Sequence, residues 1–361
     1  MQSIETFQKP VFTNNYSITA CFFQGFDCGR QLLGGLAGHD AGELGLMEVP
    51  VECFAGFIFL NPDVNAIPLN DFLGEVVALL APYHMEEMVP YGLNVRESLD
   101  CNWKVIMDAF QEGYHIQGIH PELIASMDES QERYTFLGEH SVATAPFGAS
   151  NVDEICVGQQ IDAIRTLPAT FPGIADALPL FEAGIDKYRN SRAVIEFPGN
   201  VTPRTLLQQA IRKTLTDQGL DVSGLSDTQM SDNQFYLLFP NFFITIHAGE
   251  ATFISSVPHP DGNPNRCVWH VVNFQWFPAG TREEKHAPLI DVKAGEHFQY
   301  FLALEQDFQQ MQRQQNGLRN TSLTQIALSR QEVRLAHFHS VLDRWLKNDD
   351  PQVDRPCSPE I

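Results

Sequence analysis

Two histidines, His115 and His120, lie five residues apart in 112-EGYHIQGIHPEL-123. Imidazole is the commonest protein ligand for a transition metal. Two neutral imidazoles joined by one carboxylate on one side of an octahedron leave open positions, the arrangement by which non-heme Fe(II) binds O2 and substrate. On an unbroken helix a five-residue step turns the side chains about 140° apart, so both rings reach one ion only if the helix loosens between them. Gly118, and Pro121 just past the second histidine, make that distortion possible. The carboxylate must come from elsewhere in the chain.

The other candidates carry less. His337 and His339 are two residues apart, on different faces of a predicted helix, and read as structural. His247, His259 and His270 lie in or beside predicted strands and could line a cavity, but nothing singles them out. A zinc hydrolase built on the same pair would need a His-Glu-x-x-His spacing that is absent. The glycine-rich stretches 34–38 and 42–45 lack the Lys and Ser/Thr of a phosphate loop and read as turns, and no Ser or Cys sits in a nucleophile motif.

The elements that must hold the pair follow from periodicity. From Asn102 the run NWKVIMDAFQEGYHI sets Trp103, Met107, Phe110 and Tyr114 along one stripe, predicting a helix that carries Glu112 and His115 on a common face. Residues 235–247, 251–257 and 267–277 predict an antiparallel sheet. Two helices follow, over 293–315 with Asn316-Gly317 as a stop, and over 330–347. Ser329 and Glu332 have capping-box spacing for the last helix, whose apolar side is Val333, Phe338, Val341, Leu342 and Trp345. Nearer the start, 49–63 reads as a strand ended by Asn61-Pro62-Asp63, and Asn70 as the cap of a helix bearing Phe72, Val76, Val77 and Leu80. A domain boundary is expected near residue 66, and the fold class is α+β.

The chain has 361 residues and is 43% hydrophobic, enough for two domains with a buried core. Lys and Arg total 23 against 45 Asp and Glu, a net charge of -22, which excludes a broad phosphate-binding surface and with it a nucleic-acid partner. No stretch reaches the roughly 18 apolar residues of a membrane span, and the start lacks signal-peptide features, so no membrane contact and a cytoplasmic location are expected. The seven cysteines are scattered, which suits reduced thiols.

The string NWKVIMDAFQEGYHIQGIHPEL resembles the catalytic domain of Rieske non-heme iron ring-hydroxylating oxygenase alpha subunits, where an Asn-Trp-Lys helix start leads to an acid, a Tyr-His pair and a second His. Farther on, 305-EQDFQQMQRQQNGLRN-320 is similar to the family segment that supplies the third ligand and a Gln-x-Gly-Leu turn, and 330–346 to its closing helix. The resemblance implies His115, His120 and Asp307 as ligands of one mononuclear Fe(II), and Glu112 as the bridging acid toward a neighbouring subunit's cluster. It implies a helix-grip type catalytic domain over 67–361, with a curved antiparallel sheet packed against helices, after a partial Rieske-like β domain over 1–66. The implied reaction is insertion of O2-derived oxygen into an aromatic or other apolar organic substrate, by ring hydroxylation or oxidative demethylation. A ferredoxin or reductase donor and a homotrimer or hetero-oligomer are implied as partners.

A Rieske [2Fe-2S] cluster needs two Cys and two His. Here 21-CFFQGFDCGRQLLGG-35 resembles the family's second ligand motif, keeping Cys21 but placing Gln24 where the His belongs, and no Cys-x-His occurs in the chain. The chain is therefore not expected to hold a cluster by itself, through either a truncated start or a degenerate domain. Electrons would come from an external source. The alternative is a catalytically degenerate homologue that binds a small molecule.

Overall fold

The computed structural model describes residues 50–61, 63, 65–124, 127, 129–146 and 156–347. Cys21, Gln24 and the glycine-rich stretches lie outside them. Two compact units divide between Phe72 and Leu73, and the boundary expected near residue 66 falls inside the first. In the first unit a hairpin pairs β1 (Val51–Phe54) with β2 (Phe57–Leu60), where a single strand was expected. Ala55 and Gly56 turn it with positive φ, which Gly56 adopts without strain. The next segment forms two short helices, α1 (Leu69–Leu73) and α2 (Val76–Leu80), interrupted at Gly74 with φ +53°. Asn70 therefore lies inside α1 rather than capping it.

The second unit is built on β3 (Met88–Leu99), followed by α3 (Trp103–Ala109), α4 (Ile116–Ile119), β4 (Arg133–Leu137) and β5 (His140–Ala145). A helical stretch comes next, with α5 (Val157–Thr166), α6 (Leu178–Asp186), α7 (Pro203–Asp217) and α8 (Asp227–Ser231). The Thr202 capping box and Pro203 start α7, and Leu206, Leu207, Ala210, Ile211 and Leu215 make its buried face. The chain then returns through β6 (Asn233–Leu238), β7 (Phe242–His247), β8 (Glu250–Pro258) and β9 (Cys267–Trp276). It closes with α9 (Arg282–Lys285), β10 (Ile290–Asp291), α10 (Leu302–Leu318) and α11 (Val333–Lys347).

Eight strands form one sheet in the order β10-β3-β9-β8-β7-β6-β5-β4. It is antiparallel except where the two-residue β10 runs parallel to β3. The run 235–247 is thus a hairpin turning at Phe239–Asn241, with Phe235 opposite Thr245 and Thr245 opposite Thr252 in the next pair. Because side chains alternate across a strand, Asn233, Phe235, Thr245, Thr252 and Ile254 share one face.

Helices α3 and α11 pack against the sheet. Ser256 donates to the carbonyl of Trp103 at 3.1 Å, and the rings of Trp103 and Phe338 meet edge-on at 6.3 Å. Fully buried Phe243, Trp269, Phe338 and Val341 mark this core, each such side chain worth about 1.5–3 kcal/mol relative to exposure. Trp345, expected on the buried side of α11, is 46% exposed; it stacks on Phe239 at 6.0 Å and donates to Glu139 at 3.0 Å.

Candidate metal centre

Asn102 caps α3 by accepting the Lys104 N–H at 3.0 Å. The helix stops at Ala109, with Phe110 already outside helical geometry, so the expected single helix through Tyr114 is broken before the first histidine. Tyr114 consequently leaves the apolar stripe and is 38% exposed. His115 and His120 stand at the two ends of the one-turn helix α4. The loosening comes at His120 itself, with φ -119° and ψ 63°, a departure from helix enforced by the following Pro121. Gly118 stays inside α4 without a positive φ, so the departure from helix falls at His120 and not there.

The two rings meet with centroids 5.3 Å apart. Asp307 reaches them from α10, which begins at Leu302 rather than near 293 and continues through Asn316-Gly317 to Leu318. His120 Nε2 lies 2.9 Å and His115 Nε2 3.8 Å from Asp307 Oδ1. Among the described residues these three form the group of potential metal ligands, each offering an atom within 4.8 Å of the others. Two imidazole nitrogens and one carboxylate oxygen fit Fe(II) by donor type, and the remaining side faces a cavity.

Each ring is held from behind. Glu112 Oε1 lies 2.8 Å from His115 Nδ1 and Glu112 Oε2 accepts the His115 N–H at 3.1 Å. His120 Nδ1 lies 2.6 Å from Gln306 Oε1, whose amide donates to Glu122 at 3.5 Å. An acceptor on Nδ1 fixes the tautomer that leaves Nε2 free to ligate. Burial works against charging His115, but the hydrogen bond and charge of Glu112, with Asp307 behind, outweigh it and hold its pKa above the ordinary value. For His120 burial is likewise outweighed, here by Asp307 and then by Gln306 and Glu122. The cluster thus favours positive charge, whether protons on the imidazoles or a divalent cation.

Two predictions arise here. Gln306→Leu should lower metal affinity by about 10–100-fold, as loss of a ligand's supporting partner does, measured by Co(II) titration of the iron-free chain; unchanged affinity would deny Gln306 this role. A bound metal needs both imidazoles neutral, and both have raised pKa values, so retention should be complete at alkaline pH and lost as pH falls through them. With two protons in competition the affinity should fall by up to about 100-fold per pH unit, read as iron kept after dialysis at stepped pH; flat retention would remove the histidines from the site.

The start of α10 is anchored by a buried polar chain. Trp269 Nε1 donates to Tyr300 Oη at 3.0 Å, and Tyr300 Oη donates to Glu97 at 2.7 Å. His297 bridges Glu97 at 2.9 Å and Glu305 at 3.0 Å. Glu305 precedes Asp307 by two residues, so this chain sets the depth at which the carboxylate enters.

The cavity measures about 120 Å³ and is lined by Phe110, Phe171, Phe235 and Phe301 with Ile254 and Leu304, among others. Its carboxylates besides Asp307 are Glu112 and Glu132, and no Lys or Arg lines it among the described residues. Burial raises the Glu132 pKa despite a hydrogen bond from Tyr134 and the charge of Arg334. Nearby, a Cβ at Gly113 would lie 3.1 Å from Glu132 Oε2, so this carboxylate packs closely against the glycine backbone. None of His247, His259 and His270 lines this cavity. His270 is buried against Asn94, its pKa pushed down to about 4 chiefly by burial. His339 pairs with Asp108 at 2.9 Å and His337 lies against Phe136, so the His-x-His pair is split as its spacing requires.

Fold and cluster together define an α+β domain with a two-histidine, one-carboxylate group beside an apolar cavity. The family of ring-hydroxylating alpha subunits (catalytic domain) matches residues 81–348, and the chain belongs to that family. A glycine betaine monooxygenase oxygenase subunit of Pseudomonas aeruginosa is 34% identical over 105 residues, 28% of this chain and 24% of that protein. A carnitine monooxygenase oxygenase subunit of Escherichia coli is 30% identical over 106 residues, 28% of each chain. The large oxygenase component of a 2,4-dinitrotoluene dioxygenase system from a Burkholderia species is 38% identical over 85 residues, 22% of this chain and 19% of that protein. A solved quaternary ammonium Rieske monooxygenase shares the fold with TM-score 0.51 at 13% identity, over 86% of this chain and 66% of that one. The matched stretches thus span about a quarter of the curated relatives' length and less than two thirds of the solved structure. Among the described residues no helix is long and apolar enough to cross a membrane.

Proposed function

We propose that residues 67–361 form the catalytic domain of a mononuclear non-heme iron oxygenase, in which His115, His120 and Asp307 hold Fe(II). The observation that carries this reading is the meeting of three ligand atoms, from segments 187 residues apart, at the edge of an apolar cavity. Bound iron would supply activation of O2. The chain's own residues do the rest. Glu112 and Gln306 orient the two imidazoles, the phenylalanine walls exclude water, and Glu112 stands where the family's bridging acid receives electrons from a neighbouring subunit. One oxygen atom inserted as hydroxyl consumes O2, two electrons and two protons and releases water, so a ferredoxin or reductase must act as donor. Gln24 is an unsuitable ligand for an iron-sulfur cluster, so the Rieske centre belongs to a different polypeptide of a mixed assembly in the cytoplasm, and a homotrimer of this chain would still need an external cluster.

The substrate is a small organic molecule that presents an aromatic or N-methylated group to the cavity. Phenylalanine faces accept either, since a π face attracts both apolar groups and alkylammonium cations. The lack of a lining Lys or Arg disfavours a carboxylate at this depth. A second reading, a binding protein without turnover, draws on the Gln24 substitution. Iron and acid-labile sulfide content with an EPR spectrum on anaerobically purified protein tests the choice. We expect iron near one per chain without sulfide, and substrate-dependent O2 uptake once a reduced donor is added. Iron-free protein that binds ligand without O2 uptake would replace the oxygenase reading with the second.

A further inference from the structure

The cavity wall contributed by Thr170 and Phe171 belongs to neither the sheet nor the metal-bearing helices. It is a turn, with the Thr170 and Phe171 N–H groups bonded to the Leu167 carbonyl at 2.9 and 2.8 Å, leading into a 3-10 segment, Pro172–Ala177. Leu167, Ile174 and Ala177 are buried behind it, while on the side of Gly173 a buried carboxylate ties it to the sheet. Glu250, 4% exposed at the start of β8, accepts the Gly173 N–H at 2.8 Å through Oε2. Asn273 approaches its other oxygen at 3.5 Å.

Two further observations mark this contact as built. A Cβ at Gly173 would lie 2.6 Å from Glu250 Oε2, so the approach is available to glycine alone, although Gly173 does not have a positive φ. His247 Nε2, buried without a hydrogen bond, lies 3.6 Å from the same carboxylate oxygen. The His247 ring in turn meets Phe171 edge-on at 5.7 Å. Carboxylate, imidazole and phenyl ring therefore form one stack from the sheet to the cavity surface. A carboxylate buried in this way is costly unless its acceptors are used, and neither the ligand set nor the core requires it here.

We propose that Glu250 is a positioning residue for substrate selection: by accepting the Gly173 N–H it fixes the turn over residues 167–173 and, through it, the Phe171 side chain that walls the cavity. This rests on the cavity being the substrate site. Glu250 touches neither the ligands nor the cavity surface, so its effect is on which molecules fit and not on metal binding. A fixed wall around about 120 Å³ suits a molecule near the size of benzene, which fills a cavity of roughly 150 Å³, better than a fused two-ring one.

The test uses the full, iron-free chain and the variants Glu250→Ala, Glu250→Gln and Gly173→Ala. Calorimetric titration with toluene and naphthalene reads the cavity size, amide hydrogen exchange over 170–174 reads the turn, and Co(II) titration reads the metal site. Wild type is expected to favour toluene by at least about tenfold. Glu250→Ala and Gly173→Ala, which break the contact from opposite sides, should each cut that preference at least tenfold and speed exchange over 170–174 at least tenfold, with Co(II) affinity within about threefold of wild type. Glu250→Gln keeps an acceptor of the same shape and should stay within about threefold of wild type in all three. The proposal is overturned if wild type shows no toluene preference, if preference or exchange is unmoved in both broken variants, or if Co(II) affinity falls with them, which would mark general loosening. Because no measurement needs iron or turnover, its failure is distinct from failure of the oxygenase reading, which is decided by iron content and O2 uptake.

Discussion

Asp307→Ala should leave the chain folded and without iron. In the proposed site the carboxylate would supply one of three ligand atoms, and it lies 2.9 Å from one imidazole and 3.8 Å from the other. Losing a partner behind a ligand costs about 10–100-fold in metal affinity, so losing the ligand itself should cost more than about 100-fold. Bound iron after anaerobic desalting should drop from near one per chain to background. The same substitution removes the hydrogen bond and charge that raise the His120 pKa, so the two histidine NMR titrations of the apo chain should move down in pH. Iron retained at the wild-type level would exclude Asp307 as a ligand. Circular dichroism checks the fold, since Asp307 makes no contact that the core depends on.

The second large effect is on stability. Arg334 on α11 is fully buried, and burial pushes its guanidinium pKa down to about 10. It donates to the Phe235 carbonyl at 2.9 Å, Ser141 Oγ at 3.2 Å and the Gln111 carbonyl at 3.5 Å. One planar fork thus ties the last helix to β5, to β6 and to the loop that carries Glu112. Arg334→Ala leaves those acceptors unpaired, at about 1–3 kcal/mol each, and opens a cavity. Since such losses are not additive, a total near 3–5 kcal/mol is expected, or roughly 6–15 °C in Tm. Arg334→Lys should recover little, because one ammonium on a flexible stem cannot meet three separated acceptors. A Tm within about 2 °C of wild type for the alanine variant would deny the tie.

Much of this arrangement was legible in the sequence. Strands β6 to β9 announced themselves through β-branched and aromatic runs, whereas β3, β4, β5 and β10 were not read as strands, and the Ser329–Glu332 box marks the start of α11, where both of its reciprocal bonds form. The residues brought together at the cluster were readable only through the resemblance. Spacing alone gave a histidine pair that needed a loosened helix; Pro121 was the local signal for His120 leaving helical geometry, but none foretold that α3 would stop at Ala109. The start of α10 was misplaced for a related reason. Residues 293–301 have helix-compatible composition, but His297 and Tyr300 are held by Glu97 and Glu305 in a non-helical course, and tertiary hydrogen bonds override weak propensity. Gln306, Arg334 and Glu250 were missed because a polar residue in a helix or strand carries no sign of its burial. Gln306 alone left a trace, its place beside Asp307.

The sheet order has a consequence for how the chain reaches this state. β3, the first strand of the second unit, pairs along its length with β9, so that Val95 faces Val271 and Leu99 faces Cys267. No strand beside β3 is available until the chain has been made past residue 276. During synthesis β3 must wait unpaired while the helical stretch and five further strands, β4 to β8, emerge before β9, and contacts of such high sequence separation form slowly. An exposed edge of this kind is a template for wrong pairing. Slow translation at low temperature, or a chaperone that covers extended segments, is therefore expected to raise the recovery of folded protein.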